Sequence, residues 1–196
     1  NSLVINYEEN IIIVNRSGYT GEDGFEISIP NSIVLNFINL IIKNPKTKLC
    51  GLGSRDSLRL EAGLCLYGNE LNESTTPIEA NLKWAVHEER LKDKNLNGNE
   101  KLLNQFNNGV EKNKIAIKCL SKSILRKNMK IFDVKNNEIG KITSGCYSPI
   151  IKSSVGIGYL YKKINNDEKI FTLIRGSIEE LEITKLPFVL HKYKKG

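Results

Sequence analysis

The sequence predicts an α+β protein in two parts, a partial α/β core followed by a small C-terminal β-barrel domain. Three observations carry that reading. Strand-like and helix-like stretches alternate over roughly the first 90 residues. A polar, asparagine-rich connection follows at Asp93–Asn108. From Lys114 onward, short strand-like runs recur with turn signals between them. The boundary falls near residue 110, giving units 1–110 and 111–196.

Taken in order, Leu3–Asn6 and Ile11–Val14 are β-branched runs around the polar turn Tyr7–Asn10, which reads as a hairpin. A third strand, Gly24–Ile29, ends at Pro30. Asn31 or Ser32 can cap a helix running to about Lys43, with Ile33, Phe37, Leu40 and Ile41 on one face, and Pro45 stops it. Ser54 or Asp56 opens a second helix, Leu58–Leu64, closing near Gly68. The connection holds a short helix at Glu100–Phe106. Barrel strands are expected at Ile115–Leu120, Lys130–Val134, Glu138–Thr143, Val155–Tyr161, Ile170–Ile174 and Leu181–Thr184. Lys135-Asn136-Asn137 and Asn165-Asn166-Asp167 punctuate them as turns.

Composition bounds the function. Hydrophobic residues make up 40% and charged residues 26% of the 196, enough apolar material for a packed core. No apolar run reaches the length of a membrane span. Asn1–Asn15 has neither a basic n-region nor a cleavage site, and the chain lacks an initiator Met. It reads as a stretch whose natural start lies upstream, where any targeting peptide would be. Cys50, Cys65, Cys119 and Cys146 form no C-x-x-C pair, and His87 and His191 are far from them, so no zinc site is expected. The cysteines read as reduced, small hydrophobes in a reducing compartment. The net charge of +7 is concentrated: Lys83–Lys135 holds 13 Lys/Arg against 6 Asp/Glu, and the remainder has 16 of each. That region is a solvated surface or a steering patch for an acidic partner or an anionic substrate tail. Few interleaved aromatics and no nucleic-acid-binding motif argue against nucleic acid.

Two stretches are dense enough to carry chemistry. In GYTGEDGFEI, Gly18, Gly21 and Gly24 are spaced by three, and presenting Tyr19 and Thr20 on a tight loop is what such a spacing does. In the strand that follows, Phe25, Ile27 and Ile29 share one face, and Glu26 and Ser28 the other. Glu26 is then on a solvated sheet face, or it faces a pocket where its carboxylate accepts two N–H donors from a flat heterocycle. In GLGSRDSLRLEAGLCLYGNEL, Arg55 and Arg59 share a helix face. Arg59 with Glu61 or Asp56 is structural pairing. Arg55 at a helix start is unfavourable to the dipole, which favours a functional reason for it. Trp84, the single tryptophan, is core or a pocket wall. Two distant histidines supply no Ser-His-Asp or Cys-His arrangement, and neither the Walker loop nor the dinucleotide fingerprint is present.

These two stretches, with TTPIEANLKW, ITSGCYSPIIKSSVGIGYL and the closing KLPFV, resemble the T-protein (aminomethyltransferase) family of the glycine cleavage system, in register along nearly the whole chain. The part present resembles the C-terminal half of that family or slightly more. The resemblance implies that 1–110 is the C-terminal part of a folate-binding core. It implies transfer of a one-carbon unit from the aminomethyl-lipoyl arm of H-protein to tetrahydrofolate, with release of ammonia. Glu26 would accept hydrogen bonds from the pterin edge, Arg55 would line the same site, Tyr19 and Trp84 would touch the folate, and Tyr193 would close the site. The family's aspartate belongs upstream of Asn1, so no catalytic residue is assigned within this stretch. Lipoylated H-protein and tetrahydrofolate are the implied partners, with neither nucleic acid nor membrane. The implied location is the mitochondrial matrix if the source is eukaryotic, and the cytoplasm if bacterial. Alternatives sharing the fold are the folate-binding region of a demethylating dehydrogenase or oxidase, and a non-catalytic folate-binding paralogue.

Overall fold

The computed structural model describes residues 2–165 and 168–194. The turn expected at Asn165-Asn166-Asp167 therefore lies partly outside the described residues. The first hairpin pairs β1 (Ser2–Tyr7) with β2 (Asn10–Asn15), antiparallel, with Ser2 opposite Asn15 and Tyr7 opposite Asn10. Glu8 and Glu9 turn it with φ of 46° and 61°, the left-handed pair that matches strand twist in a two-residue loop. Strand β3 (Glu26–Ser28) adds to β2 with Glu26 opposite Asn15.

Helix α1 spans Val34–Ile42 and is preceded by Ile33, with no side-chain cap from Asn31 or Ser32. Helix α2 spans Leu52–Glu61, so it starts and ends earlier than the sequence suggested. The backbone explains both shifts. The Gly51 carbonyl accepts from the Ser54 and Arg55 amides, which places Ser54 and Asp56 inside the first turns. At the other end Gly63 takes φ of 73°, its amide donates to Leu60 O at 2.9 Å, and the Leu64 amide donates to Arg59 O at 2.9 Å. That is a Schellman closure, and it ends the helix before Leu64. Helix α3 (Asn99–Asn108) lies in the connection.

From Asn113 to Thr184 the described residues form a closed, wholly antiparallel barrel. Its strands are β4 (Asn113–Cys119), β5 (Lys130–Asp133), β6 (Glu138–Ser148), β7 (Ser153–Leu160), β8 (Ile170–Ile174) and β9 (Ser177–Thr184), in the order β4-β7-β6-β5-β8-β9. Closure leaves no unpaired edge. Ile117, Leu125, Ile131, Ile142, Ile170 and Leu181 fill the interior. Strand β6 runs five residues beyond the expected Thr143, across a register shift between Ile142 and Ser144. Strand β9 begins four residues before the expected Leu181, and Glu179 and Glu180 in that added stretch masked its apolar pattern.

The joint between α2 and the barrel is polar at its centre and apolar around it. Leu60 packs with Val155 and Ile157, flanked by Leu186 and Phe188. Arg59 is 1% exposed and pairs with the fully buried Glu70 at 3.1 Å and with Asp56 at 2.8 Å. Its guanidinium also donates to the Ser144 hydroxyl on β6 at 2.8 Å. Of the two partners expected for Arg59, Asp56 is present and Glu61 is not. Glu61 instead accepts from the Ser148 hydroxyl.

The four cysteines are free thiols, but Cys50 is exposed and so does not act as a buried hydrophobe. Burial pushes the Cys146 thiol up to about 11. The first sheet and α1 leave many apolar side chains exposed, among them Leu3, Val4, Ile11, Phe25 and Leu35. No described helix is long and apolar enough to cross a membrane.

Removing Arg59 strands a buried carboxylate. Arg59→Ala is expected to cost about 3–5 kcal/mol in denaturant unfolding, and Arg59→Met combined with Glu70→Leu to recover most of that loss. A loss below about 1 kcal/mol for Arg59→Ala would show that the pair does not hold the joint.

Candidate functional site

The glycine-rich loop between β2 and β3 gathers most of the residues singled out above. Arg16 and Asp23 clasp its base through two parallel N–H···O bonds of 3.0 Å. Inside the clasp, Tyr19 turns back toward the segment after α2 and donates its hydroxyl to the Cys65 carbonyl. Burial raises the Tyr19 phenol above its ordinary range, with the Arg59 charge opposing, so the hydroxyl remains a donor. The Arg55 guanidinium lies over the Tyr19 ring, 4.9 Å from its centre, a cation–π contact. Tyr19 and Arg55 are therefore neighbours.

Only Gly21 of the three loop glycines adopts a left-handed φ, at 76°. A Cβ there would sit 2.8 Å from the Ala62 Cβ, so glycine is required by approach as well as by conformation. Gly18 and Gly24 have nothing within 4 Å of a Cβ and no left-handed φ, which corrects the expectation that all three serve the turn.

The C-terminal tail holds the loop from behind. The Val189 amide donates to Glu61 O at 2.9 Å, and the Lys192 amide donates to Gly21 O at 2.8 Å. His191 Nε2 contacts Ala62 O at 2.8 Å, and Lys192 Nζ lies 3.4 Å from Glu22 Oε1. The His191 ring lies 5.0 Å from the Tyr193 ring, tilted at 44°. Tyr193 thereby faces the loop across an open cleft of about 460 Å³, lined by Arg16, Ser17, Glu22 and Gly24 among others.

Glu26 stands beside that cleft and is exposed. Its Oε2 accepts from the Ser17 hydroxyl at 2.6 Å, and Oε1 has no partner among the described residues. Of the two surroundings that the sequence left open for Glu26, the side chain is solvated, at the edge of the cleft. Trp84 sits on a single 3-10 turn, Lys83–Ala85, and is 83% exposed, so it is not core, and among the described residues no hydrogen bond or ring contact joins it to the other four. Sequence reasoning missed Arg16, Ser17 and His191. The opposite charges of Arg16 and Asp23 on either side of the glycines were a usable signal. The tail contacts had none, because they join residues more than 120 apart.

The basic segment is less of a surface than its charge count suggested. Lys114 is 7% exposed, with its ammonium 3.2 Å from Cys65 Sγ. Lys83 covers the Phe106 ring at 3.5 Å, and Lys130 and Glu138 pair at 2.6 Å.

An α+β unit joined to a closed six-stranded barrel, with a glycine loop held by α2 and the C-terminal tail, defines a two-part α+β protein. Two family models match: the GCVT N-terminal domain over residues 4–90 and the glycine cleavage T-protein C-terminal barrel domain over residues 113–189. The chain belongs to the glycine cleavage T-protein family. It is 38% identical over 195 residues to the mitochondrial aminomethyltransferase of Flaveria anomala, covering 98% of this chain and 48% of that protein. It is 42% identical over 188 residues to that of Mesembryanthemum crystallinum (93% and 45%), and 38% identical over 181 residues to that of Homo sapiens (92% and 45%). The crystal structure of glycine cleavage system aminomethyltransferase T from Bartonella henselae superposes with a TM-score of 0.87 at 36% identity, covering 94% of this chain and 51% of that one. The chain thus spans about half the length of the relatives it matches.

Gly21→Ala is expected to cost about 1–3 kcal/mol, from a left-handed alanine pressed on Ala62, and to speed hydrogen exchange at the Lys192 amide. Gly24→Ala should change stability by less than about 0.5 kcal/mol. Equal effects at the two positions would show that Gly21 does not anchor the loop to the tail.

Proposed function

We propose that this chain is the folate-binding and barrel portion of an aminomethyltransferase, which passes a one-carbon unit from the aminomethyl-lipoyl arm of H-protein to tetrahydrofolate and releases ammonia. The observation that carries the proposal is the common anchoring of Tyr19, Arg55, Glu26 and Tyr193 around one loop, in a chain that belongs to this family. Residues 1–110 are read as the C-terminal part of the core and 111–196 as the barrel domain, a division that the family-model limits of 90 and 113 support.

The residues suit a pterin. Glu26 has one carboxylate oxygen held by Ser17 and one open to an N–H donor. The Arg55–Tyr19 pair offers a flat, cationic face, and Tyr193 an aromatic wall. Trp84, exposed and apart from these, is proposed as an outer aromatic contact to the folate. Bound tetrahydrofolate supplies the nucleophilic nitrogen that accepts the one-carbon unit. The part assigned to this chain is orientation, because a ring fixed by a carboxylate and stacked on aromatics presents its nitrogen in one geometry. No residue of this stretch is given a proton-transfer role. The eukaryotic relatives are named mitochondrial. We infer the mitochondrial matrix for this protein if its source is eukaryotic, and the cytoplasm if bacterial.

Titration calorimetry of tetrahydrofolate into the intact parent protein tests the site. Glu26→Gln is expected to weaken binding by at least about tenfold, or 1.4 kcal/mol, with the melting temperature unchanged, since Glu26 is exposed and holds only Ser17. A variant that binds as tightly as the parent removes the pterin from Glu26. The basic face, including exposed Arg90 and Lys101, is proposed to dock the acidic H-protein. Its complex should then weaken steeply as salt rises from about 0.15 M to 0.5 M, and an affinity indifferent to salt would refute that docking mode.

A further inference from the structure

A second cleft, sharing no residue with the first, lies at the seam between the segment Gly68–Thr75 and the barrel. It encloses about 240 Å³. Three lysines converge on it: Lys112 just before β4, Lys127 in the loop before β5, and Lys141 on β6. Asn72, Asn128 and Tyr161 add neutral polar groups, and no carboxylate is among the described residues that line it.

The three ammonium groups are unequally satisfied. Lys112 Nζ donates to the Thr75 hydroxyl at 2.8 Å and lies 3.9 Å from Glu79 and 4.6 Å from the centre of the Tyr159 ring. Lys127 Nζ donates to the Gly68 carbonyl at 2.9 Å and to the Asn69 side-chain oxygen. Both lysines are therefore fixed by the seam itself. Lys141 has no acceptor among the described residues. Its cross-strand neighbour is another cation, Lys130, and the nearby carboxylate of Glu138 is taken by Lys130 at 2.6 Å. Like charges directly opposite on neighbouring strands are unfavourable, and here no bond repays the arrangement.

The balance of charge is positive. Three ammonium groups face one carboxylate, Glu79, which leaves an excess of two. Glu70 lies below the floor, bonded to the Thr143 hydroxyl, but Arg59 at 3.1 Å already neutralises it. An excess of two charges in a compact, amide-lined cleft is the complement of a compact dianion. Lysines bind such a group as point charges, without the planar geometry that a single carboxylate or an arginine fork imposes.

We propose that this seam cleft binds a phosphoryl dianion, either inorganic phosphate or the phosphate of a small ester, and that the bound anion clamps the Gly68–Thr75 segment to the barrel. The occupant would join Lys112 and Lys127, which hold the two ends of the segment at Thr75 and at Gly68 and Asn69, to Lys141 on β6, and because the unfolded chain lacks the cleft, binding adds to stability.

The experiment is thermal unfolding and calorimetry of the intact protein with inorganic phosphate and with glycerol 3-phosphate, against potassium chloride at matched ionic strength. A hundredfold excess over Kd is expected to raise the melting temperature by about 5–10 °C. Lys141→Gln, which removes no bond of the fold, should lower affinity at least tenfold without destabilising the free protein. Lys46→Gln, at an exposed lysine that does not line the cleft, should leave the phosphate affinity and the melting temperature as in the parent. Tighter binding of the ester than of phosphate identifies the source as a phosphorylated metabolite, and equal binding identifies free phosphate. An equal response to chloride, an undiminished response in Lys141→Gln, or Lys141-dependent binding of γ-linked triglutamate with none of phosphate would each overturn the proposal.

Discussion

The buried pair of Arg59 and Glu70 is the constraint from which the rest of this arrangement follows. Taking both ions out of water costs several kcal/mol each, and attraction alone does not repay that cost. Their remaining hydrogen-bonding capacity has to be met. Arg59 meets it with Asp56, the Leu64 carbonyl and Ser144. Glu70 meets it with the Leu66 amide and Thr143. These partners come from the helix, the segment after it and strand β6. The pair therefore fixes three pieces of chain relative to one another, and a shift of any one would leave a charge uncompensated. The register shift in β6 between Ile142 and Ser144 falls where both Thr143 and Ser144 reach this network.

The next residues of the same helix carry that rigidity to the glycine loop. Glu61 bonds Ser148 through its side chain and the Val189 amide through its carbonyl. Ala62 receives His191 at its carbonyl and Gly21 at its methyl group. Four consecutive residues, Arg59 to Ala62, thus meet the barrel, the tail and the loop. Lys192 completes the circuit by joining tail to loop. The loop is bound on its back and open on its front, where Glu26, Arg55 and Tyr193 are exposed. Support of this kind positions side chains for a ligand without using their own bonding groups.

The amount of this legible in the sequence differed with the physics involved. Strands with local apolar patterning, such as β1, β2 and β8, were found nearly to the residue, because their signal is carried within the segment. Helix α2 was displaced because its boundaries are set by backbone bonds at Gly51 and Gly63, while Ser54 and Asp56 offered plausible caps that the chain does not use. Strand β9 was shortened because pairing with β8 supports glutamates that a hydrophobic pattern cannot show. Arg59 was recognisable as structural, yet its main partner, Glu70, was not, since helix spacing points to Asp56 and Glu70 lies beyond the helix. The contrast between Gly21 and its neighbours was invisible, because it depends on Ala62, 41 residues away.

The site has one energetic asymmetry. The backing of the loop at Glu61 and Ala62 is buried and bonded to the tail, whereas Glu26 remains in water. A hydrogen bond from a ligand to a hydrated carboxylate exchanges one partner for another and gains little, about 0.5–1.5 kcal/mol. The same bond made in a site sealed from water is stronger, because the local dielectric falls. On the face of the first sheet that carries Glu26, Val4 of β1 and Ile11 and Ile13 of β2 are exposed. Whatever covers this apolar face also dries the surroundings of Glu26. The discriminating power of the carboxylate and the burial of the sheet are therefore coupled, and a ligand that orders the covering surface strengthens its own recognition.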